Sequence, residues 1–179
     1  MVLRGRKQFD KLGTTHFITT TVKDFISIFP ANISFFDILI ENLRFYLNKY
    51  SSTLFGYVLM PNHIHFLLFV PEKKSISDFM RDFKKYTSVQ IRDILRQNNN
   101  YNLLSQFENK RGEFSLWKDR FDSVVVYSEK VMETKLNYIH YNPVKAGLVH
   151  TMIDWKYSSA RNYYQDDHSV IFVSTDWRV

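Results

Sequence analysis

Two histidines stand one residue apart in the apolar stretch "HIHFLLFV", which directly follows a Pro-Asn pair. Because side chains alternate across a strand, His63 and His65 should project from one face, with their backbones about 6.6 Å apart. Their ring nitrogens could then converge on one metal ion at roughly 2.1 Å each. We expect both rings to lie at an open cleft outside the core, with Ile64 in the opposite layer. The pair alone leaves two interpretations open: a metal site, or ordinary histidines at the mouth of a hairpin.

The chain offers few further ligands for such a metal. Cysteine is absent, no His-Glu-x-x-His helix occurs, and the other histidines are scattered. The stretch "NYIHYNPVKAGLV" gives a better candidate, because Tyr138 and Asn142 stand four residues apart and would share one helix face. An amide oxygen of Asn142 could complete a site for magnesium or manganese, and the Tyr138 phenol could be a nucleophile.

Each of these helix residues also has an ordinary interpretation. Tyr138 could be a half-buried helix tyrosine, and Asn142 could end the helix, as Asn before Pro commonly does. Tyr141 is a rival nucleophile, but three positions further on it points to another part of the helix. We expect His140 to pack or to lie at the surface rather than to carry a proton. The sequence does not indicate a general base.

The composition narrows the class of protein. The 179 residues carry a net charge of +6, and 45% of them are hydrophobic. This excludes wholesale disorder and makes a polyanion a plausible partner, although many basic proteins bind no nucleic acid. The absence of cysteine fits a reducing compartment, and neither a signal peptide nor a membrane span is indicated. We therefore expect a soluble, cytoplasmic protein.

Positive side chains recur along one predicted helix and again beside two aromatic residues. Bases of a single strand stack on aromatic rings, while cations follow the phosphates. A solvated charged face is an equally ordinary interpretation of the helical charges. If the polyanion is a nucleic acid such as DNA, the candidate contact residues are Arg81, Lys84, Lys85, Trp117, Lys118 and Arg120, with Arg92, Arg96 and Phe121 beside them.

Periodicity predicts the elements that would position these residues. Residues 15–22 are rich in β-branched and aromatic types and predict a strand. Apolar residues at helical spacing predict helices over 33–50 and 75–95, the second with Ser77 as its cap. Between these helices, "LFGYVLM" and "HIHFLLFV" predict two strands joined by a tight turn.

The second half of the chain is less regular. "RQNNNYNLLSQFENKRGE" loses periodicity and predicts a long mobile loop, whereas "FDSVVVYS" predicts a strand. A third helix over "SEKVMETKLNYIHYN" should end before Pro143 and attach to the sheet through an apolar stripe of Met132, Leu136 and Ile139. "DWKYSSARNYY" predicts a short final helix, and the last dozen residues indicate nothing.

This order of elements predicts an α+β fold, a ferredoxin-like sandwich in which helices pack on a central antiparallel sheet. The strand that begins at His63 is apolar on both faces, as expected of a central strand. We find no repeat and no linker, which predicts a single domain over 1–179. Its core would span about 13–155, and 156–179 would be a C-terminal extension of uncertain role.

The two chemical motifs, together with "LWKDRFD", resemble those of a known family. His63-Ile64-His65 after "MPN", with "YIHYNPVKAGLV" downstream, is similar to the single-tyrosine His-hydrophobic-His (HUH) transposases of small insertion sequences, the IS200-like transposases. Within them the chain resembles the REP-associated tyrosine transposases. The resemblance runs from about residue 13 to about residue 155.

The resemblance implies a role for each matching residue. His63 and His65 match the metal-binding pair, Asn142 the third ligand, and Tyr138 the nucleophile. The implied activity is cleavage and rejoining of single-stranded, hairpin-containing DNA with magnesium or manganese, through a 5′-phosphotyrosine and a free 3′-hydroxyl. The implied partner is single-stranded or hairpin DNA, bound by a monomer or homodimer.

Two other functions stay open at this stage. One is a hairpin-binding regulatory protein that keeps the fold without the chemistry. The other is a metal hydrolase of a small molecule, which the basic charge and the position of Tyr138 disfavour.

Overall fold

A four-stranded antiparallel sheet organises the residues that the computed structural model describes, 13–31, 34–109 and 111–177. The strands are β1 (Thr14–Thr21), β2 (Thr53–Met60), β3 (His63–Val70) and β4 (Asp122–Val126), in the order β2-β3-β1-β4. This order, with helices between the strands, is that of the predicted ferredoxin-like sandwich. It also confirms β3 as a central strand, paired on both sides and buried along nearly its whole length.

Helices cover both faces of the sheet. On one face, α1 (Ser34–Lys49) and α2 (Ile76–Gln97) bury a large aromatic and aliphatic core that includes Phe66. On the other face, α4 (Glu129–Lys145) packs a smaller cluster against the strands through the predicted stripe of Met132, Leu136 and Ile139. Among the described residues, none of the helices combines the length and the apolarity needed to cross a membrane.

The predicted end of the third helix is wrong. Helix α4 continues through Pro143 to Lys145, and the amide of Ala146 still donates to the carbonyl of Asn142. Proline has no amide hydrogen, so the helix loses one hydrogen bond here, and the proline side chain is buried. The helix therefore carries Asn142 as a helical residue.

The predicted long loop is also wrong, because it contains the helix α3 (Tyr101–Phe107). The Asn100 side chain accepts from the amide of Leu103 and caps this helix, while Leu104 and Phe107 are buried. A similar correction applies to the second helix, where the hydroxyl of Ser75, not that of Ser77, accepts from the first free amides.

Residues after α4 cover the outer edge of β2. The amide of Leu59 donates to the carbonyl of Tyr157, and the amide of Ser159 donates to the carbonyl of Tyr57, both at 2.9 Å. The predicted final helix is present as α5 (Ala160–Gln165), and beyond it the amide of Ser174 donates to the carbonyl of Leu54. The segment 155–174, hereafter the edge cover, thus shields an otherwise open strand. The single-domain assignment stays a prediction.

Candidate active site

The hairpin between β2 and β3 places both histidines at the start of β3, on the face that α4 covers. The rings of His63 and His65 stand edge to face, with centroids 4.9 Å apart. Ile64 is fully buried in the core on the α1/α2 face, as the alternation predicts. The strand geometry therefore brings the two imidazoles together.

Only one of the two histidines lies at an open position. His65 is 4% exposed; its ring stacks on Phe17 at 5.3 Å and meets the edge of Tyr138 at 5.2 Å. The expectation that both rings lie outside the core is therefore wrong for His65. Its neighbours explain why, since β3 is central and α4 passes over this position.

Both histidines form a hydrogen bond through Nδ1, and for His63 the partner fixes the tautomer. The Nδ1 of His63 lies 2.7 Å from the Oδ1 of Asn62, and the Nδ1 of His65 lies 2.9 Å from the Oγ1 of Thr19. An amide oxygen can only accept, so Nδ1 of His63 carries the proton and its Nε2 keeps a lone pair. The Nε2 of His65 is buried without a hydrogen-bond partner among the described residues. This is the arrangement expected of metal-ligating imidazoles.

Burial also favours the neutral form of both rings. It lowers the pKa of His63, and it lowers the pKa of His65 to about 3, with the neighbouring His63 as a second cause. Metal binding requires neutral imidazole, so both rings are in the ligating form at neutral pH.

A third ligand would have to be something other than a histidine, cysteine or carboxylate. In the described part of the chain, no three side chains of those types are grouped closely enough to hold a metal ion. Asn142 is half-buried on α4, one turn after Tyr138. Asn142 is related to the histidines through Tyr138, which lies on the same face of α4 and contacts the ring of His65. The donor set of two imidazoles and an amide fits a divalent metal.

Tyr138 is the helix residue that meets the histidine pair. Its side chain is 46% exposed, and its ring contacts His65 and, at 5.9 Å, the edge of Phe17. Lys135, one turn earlier, holds its Nζ 4.5 Å from the centre of the Phe17 ring. A phenol that is open to solvent, a cation and two imidazoles therefore meet at one place.

Four residues of this arrangement are not predicted from the sequence: Phe17, Thr19, Asn62 and Lys135. Thr19 pairs with His65 in the register of β1 and β3, and Phe17 lies two residues earlier on the same face. The alternating pattern of the first strand holds this signal, but it becomes readable only once β1 is known to pair with β3.

Two of the predicted DNA-contact residues have structural roles. Trp117 is 3% exposed, and its Nε1 donates to the hydroxyl of Thr87 on α2. The expectation that Trp117 offers a stacking surface does not fit this buried position. The Nζ of Lys84 donates to the carbonyls of Lys118 and Asp119 at 2.6 and 2.9 Å, and burial lowers its pKa. Both residues tie 116–119 to α2.

The remaining candidate cations differ in their surroundings. Arg81 is exposed but forms ion pairs with Asp78 and Asp82 on its own helix. Lys85 and Arg120 are exposed, and Lys118 places its Nζ 3.4 Å from the centre of the Phe25 ring. The exposed cations are thus on α2 and on the segment that follows Trp117.

Comparisons with known proteins identify the family of the chain. A family model described as "Transposase IS200 like" matches residues 15–142. A Haemophilus influenzae protein described as a REP-associated tyrosine transposase is 28% identical over 124 residues, which are 66% of this chain and 62% of that protein. The REP-associated tyrosine transposase of Escherichia coli is 27% identical over 118 residues, 63% of this chain and 59% of that protein. The alignments thus span about six-tenths of each relative.

A solved structure shows the same fold. The structure of a REP-associated tyrosine transposase bound to a REP hairpin superposes with a TM-score of 0.68, covering 100% of this chain and 99% of that one at 19% identity. That agreement includes the four-stranded sheet and the helices packed on it.

Proposed function

The chain belongs to the IS200-like transposases, and from that premise we propose that it cleaves and rejoins single-stranded DNA at hairpins, with Tyr138 as the nucleophile. One observation carries the proposal. The rings of Tyr138 and His65 meet with centroids 5.2 Å apart, and the Nε2 of His65 is buried without a hydrogen-bond partner in the described part of the chain. A candidate nucleophile therefore lies beside a histidine that keeps a ring nitrogen for a metal.

The metal site proposed here uses three side chains. His63 and His65 would hold magnesium or manganese through Nε2, and Asn142 would supply an amide oxygen from α4. Asn62 and Thr19 would keep the two rings oriented through the Nδ1 hydrogen bonds. When bound, the metal would polarise a phosphate oxygen and offset the negative charge that develops during the transfer.

The covalent step proposed for Tyr138 exchanges one ester for another. The Tyr138 oxygen bonds to phosphorus, and the bond from phosphorus to the 3′ oxygen of the preceding nucleotide breaks. The phenol loses its proton, the departing oxygen gains one, and the products are a 5′-phosphotyrosine and a free 3′-hydroxyl. Because the ester count does not change, the hydroxyl of another strand can reverse the step without ATP.

Two positive features support a DNA substrate. The chain carries a net charge of +6, and Lys135 places its ammonium over the Phe17 ring beside Tyr138 and His65. We propose that Lys135 binds the phosphate that Tyr138 attacks. The solved structure of similar fold is that of a transposase bound to a REP hairpin, which suggests a hairpin as the partner here as well.

The test is covalent capture of DNA. A set of end-labelled imperfect hairpins with single-stranded flanks is incubated with the protein and manganese, and the products are separated on a denaturing gel. We expect a protein–DNA adduct in the wild type and none in Tyr138→Phe, which loses one hydroxyl and keeps its packing. Tyr141→Phe is the matched control, since Tyr141 is 54% exposed on the same helix.

Each other outcome identifies a different function. Retarded hairpin DNA without an adduct would indicate a binding protein that lacks cleavage. If the protein neither binds the hairpins nor forms an adduct, DNA is not its substrate and the proposal is overturned. An adduct that survives Tyr138→Phe but disappears in Tyr141→Phe would move the nucleophile to the next turn of α4.

A further inference from the structure

Phe25, an exposed aromatic residue just after β1, lies on an unusual backbone. Asp24 and Phe25, just after β1, have φ values of +52° and +57°, which residues other than glycine seldom adopt. The Phe25 side chain is 61% exposed, so core packing does not explain why the chain holds it there. Strained positions of this kind cluster at binding and catalytic sites.

The Asn62 side chain connects the backbone of Phe25 to His63. The Nδ2 of Asn62 donates to the carbonyl of Phe25 at 3.0 Å, while its Oδ1 accepts from the Nδ1 of His63 at 2.7 Å. The backbone adds a second connection, since the amide of Val22 donates to the carbonyl of Asn62 at 2.8 Å. The backbone of Phe25 is therefore tied, through Asn62, to one histidine of the proposed metal site.

A cation lies against the same ring. The Nζ of Lys118 is 3.4 Å from the centre of the Phe25 ring. Its backbone is fixed from two sides, because its amide donates to the carbonyl of Thr21 and its carbonyl accepts from Lys84 of α2. This gives the partly buried Lys84 a role: by holding the backbone of Lys118, it positions the Lys118 charge and is not itself a DNA contact.

We propose that Phe25 and Lys118 bind one nucleotide of the single strand next to the phosphate that is cleaved. The base stacks on the open part of the Phe25 ring, and the Lys118 ammonium pairs with the adjacent phosphate. Single-strand binding sites combine these two elements, an aromatic platform and a cation that follows the backbone. The proposal rests on the proposed function, which supplies the strand and its location.

The first test compares two phenylalanines of equal exposure. Phe25→Ala should weaken binding of a fluorescent hairpin with a single-stranded flank by about 5- to 150-fold, the range that base stacking supplies. Phe45→Ala is the control, because Phe45 is 60% exposed on α1, across the sheet from the site. Equal affinities of the two variants would overturn the subsite.

A second variant separates binding from folding. Phe25→Gly removes the ring but suits a positive φ, so its unfolding temperature should not fall while its affinity falls as in Phe25→Ala. Phe25→Trp should keep the affinity, because it keeps a stacking face. An affinity of Phe25→Gly equal to that of the wild type would show that the ring does not bind DNA.

Abasic substitution identifies the contact itself. The flank nucleotides are made abasic one at a time, and one position should weaken binding to the wild type but not to Phe25→Ala. If every position affects both proteins alike, no base stacks on Phe25. The adduct assay distinguishes this proposal from the proposed function. If the wild type forms an adduct but Phe25→Ala binds DNA normally, only the subsite is overturned. If Phe25→Ala weakens binding but no adduct forms in the wild type, only the cleavage is overturned.

Discussion

The two faces of the sheet belong to the same strands but carry different types of side chain. On the α1/α2 face, the strand residues and both helices form a continuous core of aromatic and aliphatic side chains. On the α4 face, a smaller apolar cluster gives way to two histidines, a half-exposed tyrosine and a lysine over an aromatic ring. The alternation along β3 sends Ile64 and Phe66 to the first face and His63 and His65 to the second.

This difference separates the part of the protein that holds most of the apolar burial from the part that holds the candidate active site. The α1/α2 face supplies the larger core, so α4 can leave its outer part polar and partly open. Substitutions on one face at a time test whether the two parts are separable.

The largest effect on stability should come from Phe66→Ala on the α1/α2 face. Phe66 is fully buried, and its ring packs edge to face with Phe83 at 5.6 Å. Truncation should lower the free energy of unfolding by about 3–5 kcal/mol, measured by urea denaturation. Metal affinity of the folded fraction should not change. A large loss of metal affinity in folded protein would mean that the two faces are not separable.

His63→Ala, on the α4 face, should have the opposite effects: little change in stability and a large loss of cleavage. His63 is half-buried, so its removal should change the unfolding free energy by no more than about 1 kcal/mol. Adduct formation should fall at least about 100-fold, since losing a ligand exceeds the effect of losing a supporting partner. Titration calorimetry with manganese checks the affinity, and Asn142→Ala should reduce it less. Equal affinities in His63→Ala and wild type, or an adduct formed in excess chelator, would remove the metal site.

Acid should weaken the α1/α2 face through Asp82. Burial by itself raises the pKa of Asp82, but hydrogen bonds from Lys49, Tyr50 and Arg81 outweigh it and bring the pKa to about 2. The unfolded carboxyl titrates near 4, so this contribution to stability is present above pH 4 and is lost as the pH falls from about 4 to about 2. Urea denaturation at pH 5 and pH 3 should show a larger loss in wild type than in Asp82→Asn. The same loss in both proteins would assign the acid sensitivity elsewhere.

The smallest effect is expected from Gly56→Ala, on the α4 face away from the histidines. A methyl group at Gly56 would lie 2.9 Å from the Cδ2 of Leu136, two residues before Tyr138. We expect about 1 kcal/mol of destabilisation from overpacking and a measurable drop in adduct yield, as α4 moves slightly from the sheet. Unchanged yield with reduced stability would show that Leu136 absorbs the change without moving Tyr138.

The sequence predicts those elements whose pattern of apolar residues is visible within a single short segment. The strand pattern of β3, the side-chain alternation of His63 and Ile64, and the apolar stripe of α4 were all readable, and the structure confirms them. The sheet order follows from the order of elements and the turn at Pro61. The structure brings the rings of Tyr138 and His65 together, and their roles as nucleophile and metal ligand stay predictions.

What could not be predicted depends on contacts between distant residues. Nothing local shows that α4 covers His65, that Trp117 lies inside against Thr87, or that the Asn62 amide joins Phe25 to His63. The helix α3 was hidden by its asparagines, because residues that favour turns also cap helices. The metal and its third ligand Asn142 stay predictions.

The edge cover has a consequence for how the protein is made. Strand β2 ends at Met60, whereas the residues that shield its outer edge begin at Trp155. At 5–20 residues per second, a ribosome needs roughly 5–20 s to synthesise the intervening hundred or so residues. For that interval β2 has an unshielded edge that a neighbouring nascent chain could pair with. Nascent chains stalled before residue 155 should therefore aggregate more readily than chains in which residues 1–179 are followed by a linker that holds them outside the ribosome, and crowded polysomes are where the difference should be greatest.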